Sequence, residues 1–240
     1  SNLKTKQNGI LQKKYWFWKP VSNTIVTIPT NTFPTISSLN SQRYFLAFNA
    51  FENYNYTTQE PQLNAYIYDI EKNSFNAFAM LKGVYYGSPE VICSPNGKFI
   101  LGSENGKNWV LFDLDKVSKK IMEKQGLQNP VFSSDNKYIL FESEDDVWKF
   151  DVNNQKLSPL RIAGKMKTNI INYKSLPLII GYNVVLKTVD SKKPLLIKTV
   201  NMSNKTTSFI TWQKDHFKTI IPSVRNHIRE IQPNVNVDKF

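Results

Sequence analysis

Residues 94–103 read SPNGKFILGS, and residues 133–142 read SSDNKYILFE, which is nearly the same sequence 39 positions later. Each copy begins with a polar turn, because Asn, Asp, Gly and Ser either tolerate positive φ or hydrogen-bond their own backbone. A short apolar strand follows each turn, and alternating apolar residues beyond it predict a second strand with one buried face. A repeated turn-and-strand unit of this size predicts an all-β fold built from copies of one sheet.

Aspartates mark the same point in successive copies of this unit. They are Asp69, Asp113, Asp151 and Asp190, at intervals of 44, 38 and 39 residues, and residues 173–200 are interpreted as the fourth repeat unit, which contains Asp190. These intervals match the roughly 40–45 residues of one blade of a β-propeller. Because the aspartates recur at one structural position, we expect them to cap turns rather than to act as paired catalytic carboxylates.

The two ends of the chain predict how the repeat closes. Residues 15–28 align with residues 65–78, which places Asn23 on Asn73, and they resemble the last two strands of a blade. Residues 205–221 resemble the first two strands of a blade, so the two segments together complete one sheet and protect its edges. The sequence therefore predicts a small propeller of about five blades over residues 1–221. Apolar residues at helical spacing after Pro222 predict a short helix and tail over residues 222–240.

The segment SPNGKFILGS resembles the Ser-Pro-Asp-Gly-Lys-aromatic-apolar turn and strand of TolB-like, WD-repeat-like propellers, and SSDNKYILFE resembles a diverged copy. The resemblance covers roughly residues 30–200. It implies a β-propeller that is often periplasmic, usually binds proteins and is occasionally attached to a hydrolase. The Gly-x-Ser-x-Gly motif of such hydrolases does not occur in the sequence.

Composition limits the chemistry that this chain can carry. One cysteine, Cys93, and two histidines exclude a disulfide framework, a thiolate metal cage and a histidine-rich metal site, so no cofactor or metal is expected. The net charge is +12, from 31 Lys and Arg against 19 Asp and Glu. Such a charge favours nucleic acid or an anionic membrane surface as a partner, although a lysine-rich composition alone produces the same charge.

Two groups of candidate binding residues follow from the predicted loops. A long loop at residues 49–62 and an acidic loop after residue 141 give the candidates for binding a partner protein: Tyr54, Tyr56, Glu142, Glu144, Asp145 and Asp146. Basic residues on the opposite turns give the candidates for binding an anion: Arg43, Lys98, Lys119, Lys120, Lys137, Lys192 and Lys193. The acidic loop lacks the regular Asp-x-Asp-x-Asp-Gly spacing of a calcium loop.

Three functions fit the sequence. The resemblance favours a non-catalytic binding or scaffold module for protein–protein interaction. The charge favours an anion-binding propeller that uses its lysine-rich turns. Residues 222–240 resemble a segment in the periplasmic regions of macrolide-exporter-type permeases, which favours the periplasmic part of a larger membrane-associated assembly such as a transporter.

The sequence also bears on catalytic activity and on cellular location. A glycoside hydrolase would need paired carboxylates on the innermost strands, whose predicted segments contain only Glu90, so an enzyme is not expected. Ser1 and Asn2 are interpreted as a vector-derived remnant, which suggests that a leader or an anchor was trimmed. A periplasmic, secreted or membrane-anchored protein is therefore expected, with a cytoplasmic protein as the open alternative.

Overall fold

A computed structural model describes residues 14–49, 52–54, 57, 61–84, 88–89, 91–104, 107–162, 164, 166–178 and 184–225. Every regular element in these ranges is a β-strand. Within the same ranges there is no helix that is long and apolar enough to cross a membrane.

The first half of the chain forms a hairpin and two antiparallel sheets of four strands. The hairpin joins β1 (Tyr15–Lys19) to β2 (Thr24–Ile28). Sheet 1 contains β3 (Thr35–Ser38), β4 (Tyr44–Phe48), β6 (Pro61–Asp69) and β7 (Ser74–Val84), with the short strand β5 (Asn53–Tyr54) paired to β6. The short strand β8 (Ser88–Pro89) pairs with β7, and sheet 2 contains β9 (Val91–Cys93), β10 (Phe99–Glu104), β11 (Asn108–Asp113) and β12 (Ser118–Met122). One residue pair, Leu81 of β7 with Glu104 of β10, joins the edges of sheets 1 and 2.

The second half forms two more sheets of four strands and an inserted hairpin. Sheet 3 contains β13 (Gln128–Ser133), β14 (Tyr138–Glu142), β15 (Val147–Asp151) and β16 (Lys156–Pro159). Sheet 4 contains β17 (Lys167–Ile170), β20 (Leu195–Asn201), β21 (Thr206–Gln213) and β22 (His216–Arg225). The inserted hairpin joins β18 (Lys174–Pro177) to β19 (Val184–Val189).

Apolar clusters fill the boundaries between neighbouring sheets. Phe45 lies in the cluster between the N-terminal hairpin and sheet 1, and Phe78 in the cluster between sheets 1 and 2. Phe141 lies between sheets 2 and 3, and Ile197 between sheets 3 and 4. Successive antiparallel sheets that pack face to face in this way are the arrangement of a propeller, so the fold is all-β and propeller-like. The count of about five blades stays a prediction.

The predicted fourth repeat unit, residues 173–200, is wrong in its strand pairing. β19 does not pair with β20 but runs parallel between β9 and β13, with Val185 opposite Ile92 and Phe132 opposite Thr188. The innermost strands of sheets 2 and 3 would otherwise leave backbone groups unpaired along their inner edges. β19 satisfies both edges, and the segment following it supplies the second strand of sheet 4.

The polar turns of successive repeat units contact one another. The side-chain amide of Asn40 donates to the carbonyl oxygens of Ser94 and Pro95, at 3.1 and 3.2 Å. The backbone N–H of Asn96 in turn donates to the side-chain oxygen of Asn136, at 3.0 Å. Gly97 has φ = +66°, and a Cβ added there would lie 2.2 Å from the carbonyl oxygen of Asn40, so this turn requires glycine.

The prediction that the repeated aspartates cap turns is confirmed. In each case one carboxylate oxygen accepts a backbone N–H two residues further along the chain. The donors are Glu71 for Asp69, Asp115 for Asp113, Asn153 for Asp151 and Lys192 for Asp190.

The alignment of the N-terminal hairpin with sheet 1 is also confirmed. Asn23 and Asn73 both have positive φ, 48° and 49°. The indole N–H of Trp18 donates to Asn23, and the hydroxyl of Tyr68 donates to Asn73 in the same way. The closing pairing that this alignment suggested is not seen among the described strands, where β1 pairs only with β2 and β22 only with β21.

The predicted C-terminal helix is wrong where it can be compared. Residues 222–225 continue β22 as extended strand, and the rest of the predicted helix lies outside the described residues. Pro222 fits this strand because, among the described residues, the pairing of β22 with β21 shifts register between Ile221 and Val224, so Pro222 has no partner in the ladder that would need its missing N–H.

Candidate ligand-binding cleft between sheets 3 and 4

A cleft opens at the outer part of the boundary between sheets 3 and 4. It consists of a larger cavity of about 560 Å³ and a smaller one of about 280 Å³. Lys149, Trp212 and Asp215 line both cavities and therefore join them. β15 and β16 form one wall, and β21 with its turn to β22 forms the other.

The cleft exists because Lys149 occupies a position that carries an aliphatic core residue in the preceding sheets. Lys149 stands two residues before the capping Asp151, as Ile67 and Leu111 stand before Asp69 and Asp113. Ile67 and Leu111 are 1% and 5% exposed. A lysine ammonium cannot be buried in the same way without a counter-charge, so the apolar cluster ends here and the boundary stays open.

The ammonium group of Lys149 contacts two aromatic rings. Its ammonium nitrogen lies 5.3 Å from the centroid of Tyr138 and 5.4 Å from that of Trp212. The two rings are edge to face, with centroids 6.4 Å apart. No salt bridge joins Lys149 to a carboxylate in the described part of the chain. Its positive charge is stabilised there by aromatic faces, which is an attraction of about 1 kcal/mol per contact.

Tyr138 keeps its proton at neutral pH. Burial against sheet 4 raises the pKa of its hydroxyl to about 12, and the carboxylates of Asp135 and Asp190 act in the same direction. The hydroxyl is therefore available as a hydrogen-bond donor to a ligand in the smaller cavity.

Arg161 lines the larger cavity in a strained backbone conformation. Its φ is +66°, which is uncommon for a residue with a side chain. The carboxylate of Asp146 holds this conformation by accepting the backbone N–H of Arg161 at 2.8 Å and that of Val147 at 2.7 Å. Strain that the surrounding structure maintains in this way is often found at functional sites.

The acidic candidates for partner binding divide into buried and accessible residues. Glu142 is buried and accepts hydrogen bonds from the backbone N–H of Ile170 at 2.6 Å and from the amide of Asn129 at 2.9 Å. Asp146 is also buried, and desolvation raises its pKa. These two carboxylates connect segments within and between sheets 3 and 4, so they do not form a surface for a partner; Glu144 is exposed and Asp145 half-buried.

Asp145 forms a local network with its neighbours. Its carboxylate accepts hydrogen bonds from Ser143 and from the indole N–H of Trp148, and it forms a salt bridge of 3.1 Å with Lys124. Partial desolvation acts to raise its pKa, but these contacts outweigh desolvation and lower the pKa to about 2. Asp145 is therefore ionised and engaged within the protein.

Most of the basic anion-binding candidates are paired with carboxylates. Arg43 forms a two-pronged salt bridge with Asp69, at 2.8 and 2.6 Å, and a further one with Glu71. Exposed ion pairs of 3.5–3.7 Å join Lys98 to Asp115, Lys137 to Asp135 and Lys193 to Asp190. Lys119 and Lys120 are exposed on β12, and Lys192 lines the smaller cavity of the cleft.

The remaining candidates give little further information about a site. Tyr54 lies in β5 with its backbone opposite Pro61, whereas Tyr56 and Glu90 lie outside the described residues. Burial raises the pKa of Cys93 to about 12, so its thiol is not a nucleophile at neutral pH. Within the described ranges, no three metal-ligating side chains form a cluster.

The residues of the cleft are not among the sequence-based candidates, except for Lys192 and Lys193. A signal for Lys149 was present, because the repeat alignment places it on Ile67 and Leu111. Arg161 and Trp212 carried no such signal, since they reach the cleft from a connecting segment and from another sheet.

Neither a protein-family model nor a curated protein sequence matches this chain. Among solved structures, it is similar to dipeptidyl peptidase 4 of Porphyromonas gingivalis, at 12% identity and a TM-score of 0.50, over 85% of this chain and 36% of that one. It is also similar to the β-propeller domain of the Trilobed protease from Pyrococcus furiosus, at 12% identity and a TM-score of 0.40, over 75% of this chain and 54% of that one. A third similar structure is the acylaminoacyl peptidase of Pyrococcus horikoshii, at 11% identity and a TM-score of 0.40, over 76% of this chain and 31% of that one.

These likenesses concern the fold. The chain spans about a third of the dipeptidyl peptidase that it resembles, so that protein's activity does not transfer with the fold. None of these three structures is described as one of the TolB-like or WD-repeat-like propellers that the repeated turns suggested, so that finer resemblance stays a prediction.

The sequence-based interpretation of function is wrong. A non-catalytic scaffold for protein–protein interaction was expected, with lysine-rich turns for anions or a part of a transporter as alternatives. The structures that this chain resembles are instead peptidases and their propeller domains. Arg43, Lys98, Lys137 and Lys193 on the turns are paired with carboxylates; binding of an anion by these turns stays a prediction.

Proposed function

We propose that this chain is a substrate-recognition domain of a peptidase-type hydrolase, and that it binds a peptide in the cleft between sheets 3 and 4. The observation that carries the proposal is Lys149, a charged residue at a core position of the repeat, which opens the cleft and remains without a carboxylate partner among the described residues. The peptidase character is suggested by the proteins whose fold this chain resembles.

An extended peptide fits the larger cavity because that cavity is bordered by a strand edge. β16 pairs with β15 on one side, and no described strand pairs with its other side. Lys156 and Ser158 of this strand line the cavity. A free edge offers backbone donors and acceptors that an extended peptide can pair with, while side-chain pockets select its residues.

The charges of the cleft suit a peptide that carries both signs. Asp151 and Asp215 line the larger cavity together with Lys149, Lys156 and Arg161. A mixed lining of this kind recognises polar and charged side chains more readily than a purely apolar segment.

A peptide-capture experiment tests this function. A tryptic digest of casein is incubated with the protein, free peptides are removed by ultrafiltration, and retained peptides are identified by mass spectrometry. Ser158→Trp fills the cleft, and Lys120→Trp makes the same change at the equivalent position of sheet 2, where β12 pairs with β11 as β16 pairs with β15.

We expect a defined set of peptides to be retained by the wild-type protein and by Lys120→Trp, and to be lost with Ser158→Trp. Thermal unfolding of both variants checks that they remain folded. Retention of no peptides, or equal retention by Ser158→Trp, would overturn the proposal.

A further inference from the structure

We infer that Tyr138, Lys149 and Trp212 form a subsite for the C-terminal carboxylate of the bound peptide, an inference that rests on the proposed function. All three residues line the smaller cavity of the cleft. The ammonium nitrogen of Lys149 lies within 5.4 Å of both ring centroids, so both aromatic rings attract the cation towards this cavity.

Two hydrogen-bond donors lie beside Lys149 in the lining of the smaller cavity. In the described part of the chain, neither the hydroxyl of Tyr138 nor the indole N–H of Trp212 makes a hydrogen bond within the protein, and neither atom is buried, so both can donate to solvent or to a ligand. Two other indoles donate within the protein: Trp109 to the carbonyl oxygen of Leu127 at 2.8 Å, and Trp148 to Asp145 at 3.1 Å. A cation and two neutral donors beside one cavity suit a ligand group that only accepts hydrogen bonds, as an ionised carboxylate does.

The charges that line the smaller cavity favour an anionic group. Lys149 is accompanied there by Lys192, Lys193 and Lys214, against the two carboxylates of Asp190 and Asp215. Asp190 is in turn paired with Lys193 at 3.6 Å. The lining therefore carries a net positive charge, which complements the single negative charge of a C-terminal carboxylate.

The repeat itself indicates that Lys149 serves binding rather than folding. The equivalent residues in sheets 1 and 2, Ile67 and Leu111, are buried and contribute to the apolar clusters. A lysine at this position gives up such burial, and residues that reduce stability in this way are frequently retained for function. Lys149→Leu therefore restores the side chain of the repeat while it removes the cation, so loss of binding in this variant cannot be attributed to unfolding.

Two peptides that differ only at their C-terminus provide the test. Fluorescein-labelled Gly-Ser-Gly-Ala-Phe is prepared as the free acid and as the amide, and binding to the intact protein is followed by fluorescence anisotropy. We expect the wild-type protein to bind the acid about ten-fold more tightly than the amide, as is typical of one charge-assisted hydrogen-bonding group.

Variants assign this preference to the subsite. Lys149→Leu is expected to bind the acid and the amide equally, and Lys149→Arg to keep most of the preference for the acid. Tyr138→Phe, which removes only the hydroxyl, is expected to reduce the preference a few-fold. An unchanged preference in Lys149→Leu would overturn the assignment.

A second pair of probes separates this inference from the proposed function. Galacturonate and galactose differ by a carboxylate and carry no peptide. If both peptides bind equally to the wild-type protein, the carboxylate subsite is wrong and peptide recognition stands. If neither peptide binds but galacturonate is preferred in a Lys149-dependent manner, the carboxylate-binding residues are confirmed and a peptide as the source of the carboxylate is wrong. If no probe binds, both proposals are wrong.

Discussion

The ammonium nitrogen of Lys149 lies 5.4 Å from the centroid of the Trp212 ring, across the boundary between sheets 3 and 4. At the corresponding boundary between sheets 2 and 3, Leu111 lies in a continuous apolar cluster. The cavity there measures about 160 Å³, against about 560 and 280 Å³ at the boundary that contains Lys149. The replacement of an aliphatic residue by Lys149 at this position of the repeat therefore coincides with larger cavities at the sheet boundary.

Replacing Lys149 by leucine should stabilise the protein. We expect the free energy of unfolding to rise by about 1 kcal/mol, because burying an aliphatic side chain stabilises the fold by more than the cation–π attraction that the lysine makes. Urea denaturation followed by tryptophan fluorescence measures this change. The control is Lys119→Leu at an exposed position of β12, which should change stability by less than about 0.5 kcal/mol. A large loss of stability in Lys149→Leu would show that the lysine serves the fold.

Replacing Glu142 by glutamine should weaken the connection between sheets 3 and 4. The carboxylate of Glu142 accepts hydrogen bonds from Ile170 and Asn169 on β17 and from Asn129 on β13. The glutamine side chain would place its own N–H donors against these three donors. We therefore expect a loss of about 2 kcal/mol in the free energy of unfolding. The neighbouring exposed residue provides the control: Glu144→Gln should remain within about 0.5 kcal/mol of the wild-type protein. Equal effects of the two substitutions would contradict the role given to Glu142.

Asp145 should contribute to stability in a pH-dependent way. Its pKa in the folded protein is about 2, below the value of about 3.9 in an unfolded chain. A lowered pKa means that its contribution is present above about pH 4 and is lost as the pH falls towards 2. Because its side chain is 44% exposed, solvent screening limits this contribution to about 1 kcal/mol.

The measurement is the difference in unfolding free energy between the wild-type protein and Asp145→Asn, from pH 7 to pH 2. We expect this difference to be constant down to about pH 4 and then to shrink. A difference that stays constant over the whole range would show that the ionised carboxylate is not what stabilises this network.

Val117 should be a weak point in the turn between β11 and β12. It has φ = +53°, which is unfavourable for a β-branched residue, whereas the equivalent position in sheet 1 carries Asn73 at φ = +49°. We expect Val117→Asn to raise the melting temperature and to stabilise the protein by about 1 kcal/mol. The reverse change, Asn73→Val, should destabilise it by at least as much, because it also removes the hydrogen bond from Tyr68. Thermal unfolding of both variants checks the pair.

The repeated features could be predicted because their causes are local. A turn such as SPNGK is determined by residues within a few positions of one another, and so is the capping of Asp113 by the backbone N–H of Asp115. The alignment of Asn23 with Asn73 was correct for the same reason, since both residues adopt positive φ in the same kind of turn.

The fourth sheet could not be predicted in the same way. Val184–Val189 has the alternation of a blade strand, and that pattern predicts only that the segment is a strand with a buried face. Its partners, β9 and β13, are chosen by unpaired backbone edges that exist only once sheets 2 and 3 have formed. Because the pairing of this strand was predicted wrongly, the positions predicted for the strands that follow it were wrong as well.

By itself the sequence determined the repeated unit, its turns and the capping role of Asp69, Asp113, Asp151 and Asp190, because these depend on neighbours in the chain. The sequence also shows a lysine, Lys149, at the position of the repeat where the preceding units have Ile67 and Leu111. The tertiary structure alone decided that Tyr138, Lys149 and Trp212 share a cavity and that β19 lies between β9 and β13. The physical reason is that packing across a sheet boundary joins residues that are distant in the chain, and side-chain volume and backbone pairing settle such contacts only in the assembled fold.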